Sequence, residues 1–236
     1  PGDTYTILKN WTNFYKVINN ANTIIGNLDR AEFTGATLDA YEGQAKFLRA
    51  LGYFLQTRYY GEVPLITEEN LEDAANIGQS PVADIYNQIV NDLKDAENLL
   101  PLSFPEKGKA TKGAAKAMLA EVYLTMAGWP INDASNYALA RDKAKEVMNF
   151  AKKENVNAYV HGPLALDNAI SREAAKIKNI HNDVAGNADI LLVPNLETGN
   201  SLSKIMVYFM QACAAGIIVG GKVPVVLPSR ADNKIS

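Results

Sequence analysis

The spacing of the apolar residues changes once along this chain of 236 residues, near residue 150, and that change limits what each part can fold into. Before it, helical spacing dominates. Trp11, Phe14, Tyr15, Ile18, Asn22, Ile25 and Leu28 recur at steps of three and four, which predicts one stripe on a helix of roughly seven turns. A second helix is predicted from Thr37, a good N-cap residue, to Gly61, with Leu38, Tyr41, Ala45, Leu48, Leu51 and Leu55 inside it. Glu62 to Ile66 must then be extended, because Pro64 biases Val63 away from the helical region. Ser80-Pro81 opens a third helix, Thr111 caps a fourth over Ala114 to Ala127, and a fifth runs from about Ser135 to Lys153. Short connections imply antiparallel neighbours in a layered array of helical hairpins of the tetratricopeptide kind, although no strict 34-residue repeat is visible.

After residue 154 the apolar runs are short: Val156 to Val160, Ile190 to Val193, Gly216 to Val219 and Val223 to Leu227. Helical stretches, Ser171 to Lys178 and Ser201 to Ala214, separate the first three, which is the alternation of a parallel sheet covered by helices. The expected organisation is thus a mainly α region, 1–153, followed by a small partial α/β unit, 154–236. The seventeen uncharged residues between Lys204 and Lys222 are at the lower limit for crossing a bilayer core of about 30 Å. Gln211 and three glycines break that run, so it is read as helix plus buried strand, with self-association expected if its apolar surface is left uncovered.

Charge and composition narrow the partners. The 23 basic and 26 acidic residues leave no basic excess to neutralise a phosphate backbone, so nucleic acid is not expected. Cys213, the single cysteine, can form neither an internal disulfide nor a thiolate zinc cage. His161 and His181 lie twenty residues apart with no ligand spacing, so no metal is expected. The opening residues carry no initiator Met, no signal-like run and no acylatable Cys, which reads as the inside of a longer or processed chain.

Three ordered segments of the first part, EGQAKFLRALGYFLQTRYYGEVPLI (42–66), SPVADIYNQIVNDLKDAENLLP (80–101) and GKATKGAAKAMLAEVYL (108–124), resemble the SusD/RagB family of outer-membrane nutrient-capture lipoproteins, and the WTNFYKVINNANTII helix is also typical. The resemblance implies a helical-repeat scaffold, binding of an oligosaccharide or other nutrient at the outer-membrane surface, and a TonB-dependent transporter as partner. That family's lipidated Cys and long C-terminal half are not found in this sequence.

The second part is similar to the C-terminal portion of the phosphate acetyl/butyryltransferases, through HGPLALDNAISREAAKIK (161–178), VAGNADILLVPNLETGNSLSK (184–204) and AAGIIVGGKVPVVLPSRAD (214–232). That resemblance implies acyl transfer between coenzyme A and phosphate, both as substrates, in a cytoplasmic enzyme. Ser229 and Arg230 match the family's pair at the acyl-phosphate site, and Asn200 and Lys204 fall in its asparagine-to-lysine motif. His161 stands where an acid is usual and Ser203 where a Tyr is usual. The family's N-terminal domain has no counterpart here.

Two functions of different class therefore compete. In the first, the chain is a binding module, not an enzyme, and needs no cofactor. Aromatic faces match the apolar faces of pyranose rings, so Tyr53, Phe54, Tyr59, Tyr60, Trp11 and Trp129 are stacking candidates, with Tyr59 and Tyr60 preferred. In the second it is a phosphate acyltransferase, where the Arg230 fork clamps phosphate and Ser229 adds a hydroxyl donor. Carrying one resemblance after another, the sequence has the form of a chimera. Lys107, Lys109, Lys112 and Lys116 cluster at a helix start and are read as a solvated basic loop.

Overall fold

The structure is a computed structural model that describes residues 4–106, 108–153, 159, 161–162, 164–193, 196–210, 217–218 and 225–226. The chain divides into two compact units, Pro1–Val156 and Asn157–Ser236.

The first unit is helical: α1 (Thr4–Ile25), α2 (Ala36–Tyr60), α3 (Val82–Leu99), α4 (Lys112–Ala127) and α5 (Asn136–Lys153). Each packs on the next in sequence. Cross-helix pairs fix the directions. Tyr60 meets Trp11 while Arg49 meets Asn22, so α1 and α2 are antiparallel; Lys46 meets Asp95 while Phe54 meets Tyr86, so α2 and α3 are too. Lys116 reaches Glu146 and Gly113 lies against Phe150, which sets α5 antiparallel to α4. The expected array of antiparallel hairpins is therefore present.

The stripe expected on α1 faces the core through Ile18 and Asn22, whereas the one expected on α2 is corrected: Tyr41 and Leu48 are exposed, and Ala45, Ala50, Tyr53 and Phe54 form the inward face. Ile18, Tyr53, Ile85, Ile89, Leu93, Leu119 and Val122 are buried, each large aliphatic side chain contributing about 1.5–3 kcal/mol in removal of apolar surface from water. Close helix approach is built in at Gly52, where a Cβ would stand 2.9 Å from Ile18 Cγ1, so a side chain there would push α1 off α2.

Thr111 caps α4 as predicted, its hydroxyl accepting from Ala114 N at 3.3 Å. Two other expected caps are corrected. Thr37 lies inside α2, which begins at Gly35 with no side-chain cap. Ser80 does not cap α3: its hydroxyl accepts from Leu65 N at 3.2 Å, its own N–H donates to Val63 O at 3.0 Å, and Pro81 takes the cap position. Those bonds close the long connection between α2 and α3, whose ends meet in an antiparallel bridge of Val63 and Ser80.

In the second unit, α6 (Leu166–Ile170) and α7 (Arg172–Ile177) form a bent pair around Ser171, whose hydroxyl accepts from Ala174 N. A turn at residues 182–188 docks on the bend through Gly186 N to Asn168 O (2.8 Å) and Ala188 N to Ala169 O (3.1 Å), and Asn168, Ala169, Ala175 and Ala185 are buried there. The further helix is α8 (Leu196–Met210).

The parallel sheet is not found among the described residues. Ile190 to Val193 has no regular secondary structure, and Ile190 and Leu192 are almost fully exposed. The two strands described, β1 (Ile217–Ile218) and β2 (Val225–Val226), pair antiparallel, Ile217 opposite Val226. The expected strand at Val156 to Val160 lies outside the described residues except for Tyr159. Among the described residues no helix is long and apolar enough to cross a membrane.

Candidate functional site

The structure sorts the aromatic candidates by exposure. Tyr53 and Phe54 are core residues. The Tyr53 hydroxyl is bonded at the Ile66 backbone, and burial pushes its pKa above the ordinary tyrosine value. Trp11 is half-buried, 5.1 Å from Tyr15 and edge-on to Tyr60 at 5.0 Å between ring centroids. Tyr15 gives its hydroxyl proton to Pro64 O (2.8 Å), and burial raises its pKa as well.

Tyr60 is likewise committed, its hydroxyl donating to Ile7 O at 2.7 Å, so it ties α2 to the start of α1. Tyr59, one residue earlier and about a quarter-turn around the helix, is 67% exposed. Its ring sits 6.0 Å from Phe14, tilted by 30°, which supports one side and leaves the other to solvent. Of the two preferred tyrosines, the structure brings Tyr59 to the surface as a supported aromatic face and gives Tyr60 a packing role. A separate shallow depression of about 490 Å³ runs along α1, lined by Trp11, Thr12, Tyr15, Lys16, Asn19 and Asn20, without Tyr59 or Tyr60 in its wall. An aromatic wall with amide and hydroxyl groups around it suits a polyhydroxylated ligand.

Ten residues before Tyr59 on α2, about 15 Å along the helix, lies a buried polar group that the sequence candidates did not include. Arg49, 2% exposed, holds Asp92 through two bonds of 2.8 and 2.7 Å and also reaches Asn22 and Glu68. Burial disfavours its cation, but the Asp92 and Glu68 carboxylates more than offset this and hold its pKa above the ordinary arginine value. The signal was present: Arg49 sits four residues from both Ala45 and Tyr53, on the buried stripe of α2, where a charge requires a partner.

Of the basic cluster, Lys107 lies outside the described residues, and two of the others are in ion pairs. Lys109 pairs with Glu106 at 3.2 Å and Lys116 with Glu97 and Glu146 at 2.6 Å each. In the second unit, Asn200 and Lys204 lie one turn apart on α8, both exposed, with Lys204 Nζ 5.7 Å from the Tyr208 ring centre. Ser229 and Arg230 lie outside the described residues. His181 Nε2 is 2.7 Å from Asn179 Oδ1, and the described residues contain no group of three potential metal ligands.

Two family models match, one described as "Starch-binding associating with outer membrane" over residues 2–124 and one as "Phosphate acetyl/butaryl transferase" over residues 109–236. A solved SusD superfamily protein from Parabacteroides distasonis is 34% identical with a TM-score of 0.56, over 63% of this chain and 32% of its own. A structure solved with a xylogluco-oligosaccharide is 32% identical with a TM-score of 0.55, over 64% of this chain and 30% of its own. The phosphate acetyltransferase of Rickettsia prowazekii is 59% identical over 76 residues, which is 32% of this chain and 22% of that enzyme. The chain therefore spans less than a third of each of these proteins. The two matches overlap at residues 109–124, within the helical unit, and the chain belongs to the SusD-like family through residues 2–124 and to the phosphate acetyl/butyryltransferase family through residues 109–236.

Proposed function

We propose that the chain acts as a glycan-capture scaffold at the outer-membrane surface, delivering to a TonB-dependent transporter, and that its second unit is an incomplete acyltransferase segment. The supported, exposed face of Tyr59 carries this reading. Family membership over residues 2–124 and the oligosaccharide of a solved relative support it. Calorimetry against a panel of neutral oligosaccharides, xylogluco-oligosaccharides included, is the test. Binding should be weak, because a single stacking face gains about 0.5–1.5 kcal/mol while the ligand still loses its freedom. Tyr59→Ala should weaken it roughly three- to tenfold. A tight complex indifferent to that change would remove Tyr59 from the site.

The second reading, acyl transfer from the coenzyme A sulfur to a phosphate oxygen, is favoured by the family match over residues 109–236 and by 59% identity to a phosphate acetyltransferase over 76 residues. By resemblance Ser229 and Arg230 would meet the acyl phosphate, with Asn200 and Lys204 beside them. Both substrates must be held in near-attack geometry, and the matched segment is 22% of that enzyme. Release of free coenzyme A from acetyl-CoA or butyryl-CoA in phosphate is therefore expected to stay at the rate of buffer. Turnover that disappears with Arg230→Ala would reverse the order of the two readings.

A further inference from the structure

We propose that the end of the helical array formed by the C-termini of α2 and α4 is one extended sugar-contact surface, in which Trp129 is a second stacking face and Arg58 and Glu121 bind hydroxyls between it and Tyr59. This rests on the glycan-capture reading and adds the residues along which an extended chain would lie.

The register places these groups together. The Gln44 carboxamide bonds both backbone groups of Ala110, and further along Arg58 Nη1 lies 3.6 Å from Glu121 Oε1. The two links fix α2 and α4 as parallel neighbours ending on the same side. Tyr59 follows Arg58 directly, and Trp129 stands just past the end of α4, roughly 10 Å beyond Glu121 along the array at 1.5 Å per residue. A single sugar is shorter than that separation once the sideways offset is added, whereas a chain of several units bridges it.

The Trp129 indole is 83% exposed, more than any other described aromatic of the helical unit. The turn that carries it is closed by its own hydrogen bonds. Gly128 N donates to Thr125 O (3.1 Å), Asn132 N to Gly128 O (2.7 Å) and Asp133 N to Met126 O (3.2 Å), and the Asp133 carboxylate accepts from both Ser135 N and its hydroxyl. An aromatic face held in place by such bonds binds with little further loss of freedom.

Arg58 and Glu121 are each about half exposed, and their separation is well beyond the 2.7–2.9 Å of a tight charge-assisted bond. Guanidinium donors and carboxylate acceptors therefore remain available to hydroxyls. The pair carries no net charge, which favours a neutral chain over an acidic one.

The test is a ladder of neutral oligosaccharides of one linkage and increasing length, titrated by calorimetry into the whole chain, Tyr59→Ala and Trp129→Ala. A Trp11→Phe variant makes Trp129 the only tryptophan and reports its contact by fluorescence. Affinity should rise with length, Trp129→Ala should lose roughly three- to tenfold for the long members and nothing for the shortest, and Trp129 emission should change only with the long ones. Trp129→Ala binding that keeps its full length dependence, or emission indifferent to every ligand, overturns the extended site. If Tyr59→Ala alone loses affinity, the capture reading stands and this inference falls. If the unaltered chain binds no member, both fall.

Discussion

Replacing Arg49 with Ala should cost the helical unit about 3–5 kcal/mol, a large part of the 5–15 kcal/mol that holds an ordinary domain together. The loss is not the loss of one attractive pair. Arg49 joins Asn22 of α1, Asp92 of α3 and Glu68 of the connection after α2, while Gln88 adds a 3.0 Å bond to Asp92 and Asn22 donates to Ile66 O at 2.9 Å. Removing the guanidinium leaves Asp92, itself 2% exposed, as a buried carboxyl without its main partner. Burial already pushes the Asp92 pKa above the ordinary carboxylate value even with Arg49 and Gln88 opposing it. The double substitution Arg49→Met with Asp92→Leu should be far milder than the single one, because it removes the desolvated charges along with their attraction. Urea denaturation followed by far-UV circular dichroism separates the cases. An Arg49→Ala midpoint equivalent to a loss under about 1 kcal/mol would show that water enters and solvates Asp92.

In the second unit the largest effect is expected from Gly186→Ala. Gly186 has φ of +78°, and a Cβ there would fall 2.5 Å from both the N and the Cα of Arg172, at the start of α7. A left-handed alanine costs about 1–2 kcal/mol, and a clash with backbone that cannot swing aside adds about 1–3 kcal/mol. The turn would have to lift, breaking the bonds of Gly186 to Asn168 O and Ala188 to Ala169 O on which the small alanine core depends. Hydrogen exchange should show residues 166–188 losing protection while the helical unit keeps its own. Unchanged exchange in that segment would mean the turn has another conformation of nearly equal energy.

What could be read from the sequence follows the range of the interactions involved. Thr111, Ser171 and Gly61 act within one turn of their own helices, and each does what its residue type implies. Ser80 has the same local chemistry as Thr111, yet its hydroxyl serves Leu65, fifteen residues earlier, because the returning chain offers a better-placed N–H than its own helix does. Periodicity placed the inward face of α2 on Leu48, one residue from the buried Arg49, and gave no sign of Asp92, which lies 43 residues away on another helix. Tyr59 and Tyr60 are adjacent and chemically identical, and only the position of α1 decides that one hydroxyl is spent on Ile7 while the other ring faces water. The run Ile190 to Val193 is apolar as expected and carries no strand among the described residues, since four residues carry no information about a neighbour.

The bridge of Val63 with Ser80 gives the connection between α2 and α3 the geometry of a closed ring, whose neck is fixed before its circumference matters. Ile66 and Glu68 are bound into the polar core just inside that neck. Further round, Glu69, Glu72, Asp73, Ala75, Asn76, Gly78 and Gln79 are exposed, so the outer arc is set by solvent contact more than by packing. Length in that arc is therefore independent of the helices. Residues can be added or removed there at the entropy of closing a larger or smaller loop, about 0.6 kcal/mol per doubling, without moving α3 against α2. In evolutionary terms the arc is a place where new recognition elements can be tried on an unchanged scaffold, and in practical terms it is a position for grafting a label or an affinity handle.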